Sequence, residues 1–231
     1  TILNAEFPAP VFARNQTAHY LPALVMAAIA KAAPERVMAA CGSPTNRTVF
    51  AGRRGHDGNP FSFMMISSGG MGACIDKDGH SCTPYPSNSG SPPVEVLESV
   101  VPLLVQRKCL RVDSGGAGTF RGGLGVELII ENASEETIQV ASRMDRVTNP
   151  PEGLAGGQSG AYAGIWQNTS KPFPPKGRGQ LAPRETLAIH SPGGGGYGEP
   201  QARDRARVEA DLKEGLISAQ NAEAIYGWRR S

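Results

Sequence analysis

Charged side chains lie in or beside two glycine-rich stretches of the sequence, 113–125 and 150–160. The candidates for contacting a substrate or a partner there are Arg111, Asp113, Arg121, Arg143 and Asp145. A guanidinium group offers paired N–H donors that match a carboxylate or a phosphate. The same arginines could instead form structural ion pairs, for example Arg121 with Asp113, which share one loop. The residue types therefore predict anion binding or structural pairing, and both interpretations stay open.

The first stretch contains six glycines in thirteen residues and lies between two apolar runs, 103–110 and 126–130. Such runs predict strands, and the glycines mark backbone that needs a positive φ or a close neighbour. A dinucleotide-binding loop would need G-x-G-x-x-G before a helix, but here Gly122 comes one residue late and a strand follows. We expect a structural corner that holds Asp113 and Arg121, with direct phosphate binding as the alternative.

Metal-binding residue types also occur close together between the two predicted halves of the chain. His80 lies between Cys74 and Cys82, with Asp76 and Asp78 nearby. The spacing matches no zinc motif, so we expect no metal at this place. The sequence has four cysteines and no C-x-x-C pair, which favours a reducing compartment, and we expect the cytoplasm.

Apolar spacing along the chain predicts the elements that must position these side chains. The predicted helices are 21–31, 94–101, 202–214 and 218–225. The predicted strands are 48–51, 61–67, 103–111, 126–132, 137–143, 163–167 and 185–190. Turn-forming residues between neighbouring runs predict two hairpins, one from the first two strands and one that joins 126–132 to 137–143.

Composition favours a strand-rich protein with a substantial core. The 231 residues include 29 glycines and 19 prolines, and 39% are hydrophobic. We predict an α+β fold of mixed or antiparallel sheets with glycine-rich connecting loops. The predicted regions are 1–101, with one N-terminal helix, a hairpin and a long loop; 102–200, rich in strands and glycine loops; and 201–231, a helical C-terminal tail.

Charge and hydropathy argue against two classes of partner. The net charge is +2 with acidic and basic residues interspersed, so no nucleic-acid footprint is expected. The longest apolar stretch, 20–30, is interrupted by Pro22 and is far shorter than the roughly 20 residues that a bilayer requires. We therefore expect neither nucleic acid nor a membrane as a partner.

Several stretches, in the same order, resemble the B-type subunits of ATP-dependent hydantoinases and 5-oxoprolinases, a family with related subunits in acetone and acetophenone carboxylases. The matching residues are ILN at 2–4, PPVEVLE at 92–98, RVDSGGAGTFRGGLG at 111–125, PEGLAGGQSG at 151–160, GGGGYGEP at 193–200, GLIS at 215–218 and YG at 226–227. Each glycine string alone is a weak signal, but the series covers nearly the whole chain. The similarity is to the C-terminal portion of such a subunit.

The resemblance implies hydrolysis of a cyclic amide or imide, such as 5-oxoproline or a hydantoin, while ATP and Mg²⁺ are held by an A-type partner subunit. It also implies that region 1–101 continues an upstream half of the same subunit, which holds a divalent metal. Developing oxyanions then need cations or N–H donors, for which the arginines above are candidates. His19 becomes a site candidate too, with a capping or surface histidine as the alternative. A subunit of a ketone carboxylase and a non-catalytic scaffold remain as other hypotheses.

Overall fold

The protein is built on two antiparallel β-sheets, seen in a computed structural model that describes residues 4–9, 11, 14–44, 46–54 and 57–229. One sheet has the strand order β2-β1-β5-β8 and the other the order β3-β4-β9-β6-β7. The strands are β1 Asn46–Arg53, β2 Pro60–Ser67, β3 Leu103–Leu110, β4 Val126–Asn132, β5 Ile138–Arg143, β6 Gly164–Gln167, β7 Lys171–Pro172, β8 Lys176–Leu181 and β9 Thr186–His190. The predicted α+β class is confirmed.

The two sheets share one hydrophobic core. Phe50 and Val140 from the four-stranded sheet and Ile130 and Ile189 from the five-stranded sheet belong to one buried cluster, each at most 1% exposed. The buried side chains alternate along β5 with exposed or partly exposed ones, as expected for a strand with one face on a core. Regions 1–101 and 102–200 both supply strands to the four-stranded sheet.

The first predicted hairpin is confirmed and the second is wrong. β1 and β2 pair antiparallel along their whole length, across a connection that includes residues 55 and 56, outside the described part. β4 instead pairs with β3 and β9, while β5 pairs with β1 and β8 in the other sheet. The segment between them crosses from sheet to sheet, and the buried Asn132 amide holds the crossing by donating to the Glu136 and Leu181 carbonyls at 2.9 Å.

Strands β7 and β8 were absent from the sequence prediction. β8 reads KGRGQL, which contains few residues that favour strands. It forms the edge of the four-stranded sheet, where it pairs with β5 over six residues. Tertiary pairing with β5 therefore overrides a weak local preference.

Four α-helices are described: α1 Arg14–Ala30, α2 Val94–Val100, α3 Arg205–Lys213 and α4 Ala219–Ala224. The prediction for α1 started seven residues too late. Asp204 caps α3, and Ala202, the first residue of the predicted helix, instead ends a separate 3-10 turn, Pro200–Ala202. Ser218 caps α4 as expected from its sequence. Among the described residues, no helix combines the length and the apolar character needed to cross a bilayer.

Five segments that contain glycine pack together through their backbones: 39–42, 69–73, 114–125, 151–161 and 191–198. We call them the glycine bundle. The segment 191–198 is central, since the Gly194 N–H donates to the Gly123 carbonyl and the Gly195 N–H to the Ala40 carbonyl, both at 2.8 Å. A Cβ on Gly70 would lie 1.8 Å from the Gly123 oxygen. Backbones therefore approach more closely than any side chain allows, which explains the glycines physically.

Candidate functional site

A half-open cavity of about 280 Å³ lies between α1 and the glycine bundle. The described residues that line it are His19, Ala23, Met26, Ala27, Ala30, Lys31, Met38, Ala39, Ala40, Cys41, Ser43, Tyr85, Glu152, Gly153 and Leu154. We call this space the α1 cavity. Ligand sites are concave and mostly apolar with a few polar groups, so the α1 cavity is the candidate binding site.

Helix spacing explains why one side of α1 borders the cavity. Positions 19, 23, 26, 27 and 30 are three or four residues apart and therefore share one face of the helix. Three of these five residues are alanines, whose small side chains leave the space open. The opposite wall is fixed to the glycine bundle, since the Ala39 N–H donates to the Ala73 carbonyl and the Ala40 N–H to the Glu152 carbonyl.

His19 is a buried titratable group of the cavity wall, with 7% of its surface exposed. Burial, and then the positive charge of Arg47, lowers the pKa of the His19 imidazole below its ordinary value. The side chain is therefore neutral at pH 7. Its Nδ1 atom has no hydrogen-bond partner among the residues that the structure describes. The sequence placed His19 among the site candidates, and the structure puts it at this cavity.

The hydroxyl and thiol groups of the wall are in states that favour binding over attack. Burial raises the pKa of the Cys41 thiol, so it stays protonated at neutral pH. The Ser43 hydroxyl donates to the Tyr85 carbonyl. The hydrogen bonds that the structure shows for these two groups are to the Met38 sulfur, the Gly72 N–H and the Tyr85 carbonyl, and none of these is a base that activates a nucleophile. The geometry therefore fits a cavity wall that binds a ligand.

Arg146, next to the predicted candidates Arg143 and Asp145, holds the outer wall of the cavity. Its Nε donates to the Ser43 carbonyl at 2.7 Å, and its guanidinium carbon lies 5.6 Å from the centre of the Tyr20 ring. Asp145 forms a 2.5 Å ion pair with Lys176, and burial together with Asp145 raises the pKa of the Tyr20 phenol. Arg143 lies on the exposed side of β5.

The structure places Arg111 and Asp113 at the glycine bundle, where their contacts are with the backbone. The Arg111 guanidinium donates to the Tyr162 carbonyl at 2.6 Å and to the Ser191 carbonyl at 3.3 Å. The Asp113 carboxylate accepts from the Ser218 N–H at 2.8 Å, next to the start of α4. These contacts link residues 111–113 to segment 191–198 of the bundle and to the C-terminal tail.

Arg121 does not pair with Asp113, because its partner is Asp211 on α3. The Arg121 Nε lies 3.2 Å from Asp211 Oδ2, and both side chains are at least 93% buried. Arg203 bridges the same Asp211 oxygen at 2.8 Å and Asp78 at 2.7 Å. We call these four residues the tail ion cluster. Burial alone would raise the pKa of the Asp78 carboxyl, but Arg203 outweighs it and holds that pKa below its usual range.

Sequence reasoning missed Arg203 and Asp211, since nothing in the local pattern links them to residue 121. It also missed the cavity lining, although alanines at helical spacing in α1 were a visible signal. The predicted candidates thus fall in two places. His19, Asp145 and Arg143 lie at or near the α1 cavity. Arg111, Asp113 and Arg121 lie at the glycine bundle.

The glycine loop itself is engaged in backbone packing. The N–H groups of Gly116, Gly122 and Gly123 donate to backbone carbonyls, and that of Gly125 donates to the Ser114 hydroxyl. A loop that cradles phosphate needs such N–H groups directed at the ligand. Within the described ranges, no group of three or more His, Cys, Asp or Glu side chains has a geometry that could hold a metal ion. The described residues therefore offer no site for the divalent metal that the resemblance implies.

Comparison with known proteins agrees with this architecture. The sequence model of the family described as Hydantoinase B/oxoprolinase matches residues 1–200. The beta subunit of the caprolactamase of Pseudomonas jessenii is 32% identical over 249 residues, covering 98% of this chain and 41% of the relative. The B-type subunit of a putative D-/L-hydantoinase from a Pseudomonas species is 31% identical, covering 98% of this chain and 39% of the relative. The chain thus spans about two-fifths of the length of these relatives.

Solved structures give the same answer for the fold. The crystal structure of the ATP-dependent caprolactamase from Pseudomonas jessenii superposes with a TM-score of 0.85 at 30% identity, over 99% of this chain and 42% of that one. An acetone carboxylase shares the fold at 19% identity, with a TM-score of 0.68 over 86% of this chain and 31% of that one. The resemblance found in the sequence is confirmed, and the chain belongs to the hydantoinase B/oxoprolinase family.

Proposed function

We propose that this chain forms the C-terminal portion of the B-type subunit of an ATP-dependent amidohydrolase that acts on cyclic amides. The observation that carries the proposal is the similarity, in sequence and in structure, to ATP-dependent caprolactamase over nearly the whole chain. The mostly apolar α1 cavity supports it, because a small cyclic amide presents an apolar ring and one polar edge.

In this proposal the chain binds and shields the substrate while other parts of the assembly supply further chemistry. ATP and Mg²⁺ belong to an A-type partner subunit, and the divalent metal belongs to the upstream half of the B-type subunit. Within the chain itself, His19 lines the ring-binding cavity, and Arg146 fixes the cavity wall through its bond to the Ser43 carbonyl.

Exposed apolar surface on α1 supports the presence of that upstream half. Leu24 and Val25 on this helix are 64% and 59% exposed, and Leu21 and Ile29 are also exposed. A contiguous apolar surface on a protein marks an interface. We propose that the upstream half covers this face; the two relatives contain about three-fifths of their length outside the part that this chain matches.

The test is substrate-dependent ATP turnover by the assembly purified from its source. We expect an ATP-binding subunit to copurify, and ATP hydrolysis to rise when a cyclic amide such as caprolactam, hydantoin or 5-oxoproline is added. Turnover that requires a ketone with bicarbonate instead would identify a carboxylase. A chain that purifies without any partner, and without ATP turnover on either substrate class, would support a scaffold and refute the proposal.

A further inference from the structure

We propose that the α1 cavity is the seat of the substrate ring and that it selects neutral lactam or imide rings over rings that carry a carboxylate. This inference rests on the proposed function and adds to it a location and a substrate class. It is drawn from the size, the lining and the charge distribution of the cavity.

Size and lining favour a small apolar ring. The cavity volume of about 280 Å³ is just below the ~300–1,000 Å³ that is typical of ligand pockets. Eight of the fifteen lining residues are Ala, Met or Leu, so most of the wall offers only van der Waals contact. A five- to seven-membered ring with few polar atoms fits such a space and such a wall.

Charge explains the selection against a carboxylate. The cavity lining contains one cation, Lys31, and one carboxylate, Glu152, and both are exposed at the rim. The guanidinium of Arg146 approaches the wall from outside and is already bound to the Ser43 and Cys41 carbonyls. A carboxylate on the ring would therefore enter without a buried cation among the described lining residues, and desolvating an unpaired charge is costly.

His19 supplies the polar contact for the amide edge. Its Nδ1 is buried without a described partner, the side chain lines the cavity, and the imidazole is neutral. The bond between Cβ and the ring has a broad and shallow torsional profile, so the ring can rotate to meet a ligand. A neutral imidazole has one donor and one acceptor nitrogen, and a cyclic amide offers both a carbonyl and an N–H to meet either one.

The experiment measures binding of two matched probes to the purified assembly by calorimetry. The probes are 2-pyrrolidinone and 5-oxoproline, which share one ring and differ only in the carboxylate. Two variants change the same helix: Ala23→Leu places three extra carbons in the cavity, and Ala28→Leu makes the same change outside it. His19→Leu removes the polar contact at similar volume.

We expect 2-pyrrolidinone to bind at least tenfold more tightly than 5-oxoproline. Ala23→Leu and His19→Leu should each weaken binding of 2-pyrrolidinone at least tenfold, whereas Ala28→Leu should change it less than twofold. Equal or tighter binding of 5-oxoproline, or unchanged binding of 2-pyrrolidinone in Ala23→Leu with a native circular dichroism spectrum, would overturn the inference.

The two proposals fail in different ways. If a cyclic amide drives ATP turnover equally well in the wild type and in Ala23→Leu, the function stands and the ring lies elsewhere. If 2-pyrrolidinone binds and Ala23→Leu abolishes that binding, but no cyclic amide drives ATP turnover, the cavity assignment stands and the proposed function is wrong.

Discussion

The glycine bundle makes a sharp prediction for Gly70→Ala. A Cβ at this position would lie 1.8 Å from the Gly123 carbonyl oxygen. In real structures, a Cβ atom essentially never comes within 3.0 Å of such a non-bonded heavy atom. The segments carrying Gly70 and Gly123 must therefore separate by about 1.2 Å. That oxygen also accepts the Gly194 N–H at 2.8 Å, so the shift breaks a bond of the central segment.

Two costs add up in this variant. Overpacking a well-packed interior costs about 1–3 kcal/mol, and a buried backbone group left without its partner costs about 1–3 kcal/mol more. We expect Gly70→Ala to lower the free energy of unfolding by about 2–6 kcal/mol. Since single domains are stable by only about 5–15 kcal/mol, the variant should be marginal or unfolded.

The assay is equilibrium urea unfolding followed by circular dichroism, with Gly90→Ala as the matched control. Gly90 is exposed, has no positive φ, and a Cβ there would meet nothing within 4 Å. The control should change stability by less than about 1 kcal/mol, because alanine mainly restricts the unfolded chain. If Gly70→Ala and Gly90→Ala unfold at the same urea concentration with the same slope, the account of the bundle is wrong.

Two further predictions concern the tail ion cluster and the cavity histidine. Asp211→Ala leaves Arg121 without its buried partner and should lower the free energy of unfolding by about 3–5 kcal/mol. Glu209→Ala, which removes an exposed pair on the same helix, should lower it by less than about 1 kcal/mol. Equal urea midpoints for the two variants would contradict this prediction. His19→Leu should be as stable as the wild type or more stable at pH 7.5, because the variant loses no described partner of Nδ1. Because the pKa of His19 is lowered in the folded chain, the unfolded wild-type chain takes up a proton below about pH 6.5 more readily than the folded chain does. The stability of the wild type, relative to His19→Leu, should therefore fall as the pH drops from 7.5 to 5.5. Urea midpoints of the two proteins that stay parallel across that range would refute this cause.

Much of the local structure followed from the sequence. β4 was predicted with its observed bounds, and the capping role of Ser218 was readable from one side chain. Local patterns were less informative about which strands pair with each other. The alternation in β5 fits either sheet equally well, so the sequence could not predict that β5 pairs with β1 and β8 and not with β4.

The candidate site also combines features that the sequence predicted with features that only the tertiary structure showed. His19 could be singled out, but the cavity beside it exists only because α1 packs near residues 38–43 and 152–154. The pairing considered for Arg121, with Asp113 in the same loop, was wrong, because its partner Asp211 lies 90 residues away and no local pattern connects the two.

By itself, the sequence determined the strand-rich class, the family and the positions where only glycine is tolerated, because these depend on residue types and their order. The tertiary structure decided what the glycines pack against, which acid each arginine meets and where a ligand-sized space remains. These depend on distances between segments far apart in the chain, and spacing along one stretch does not contain them.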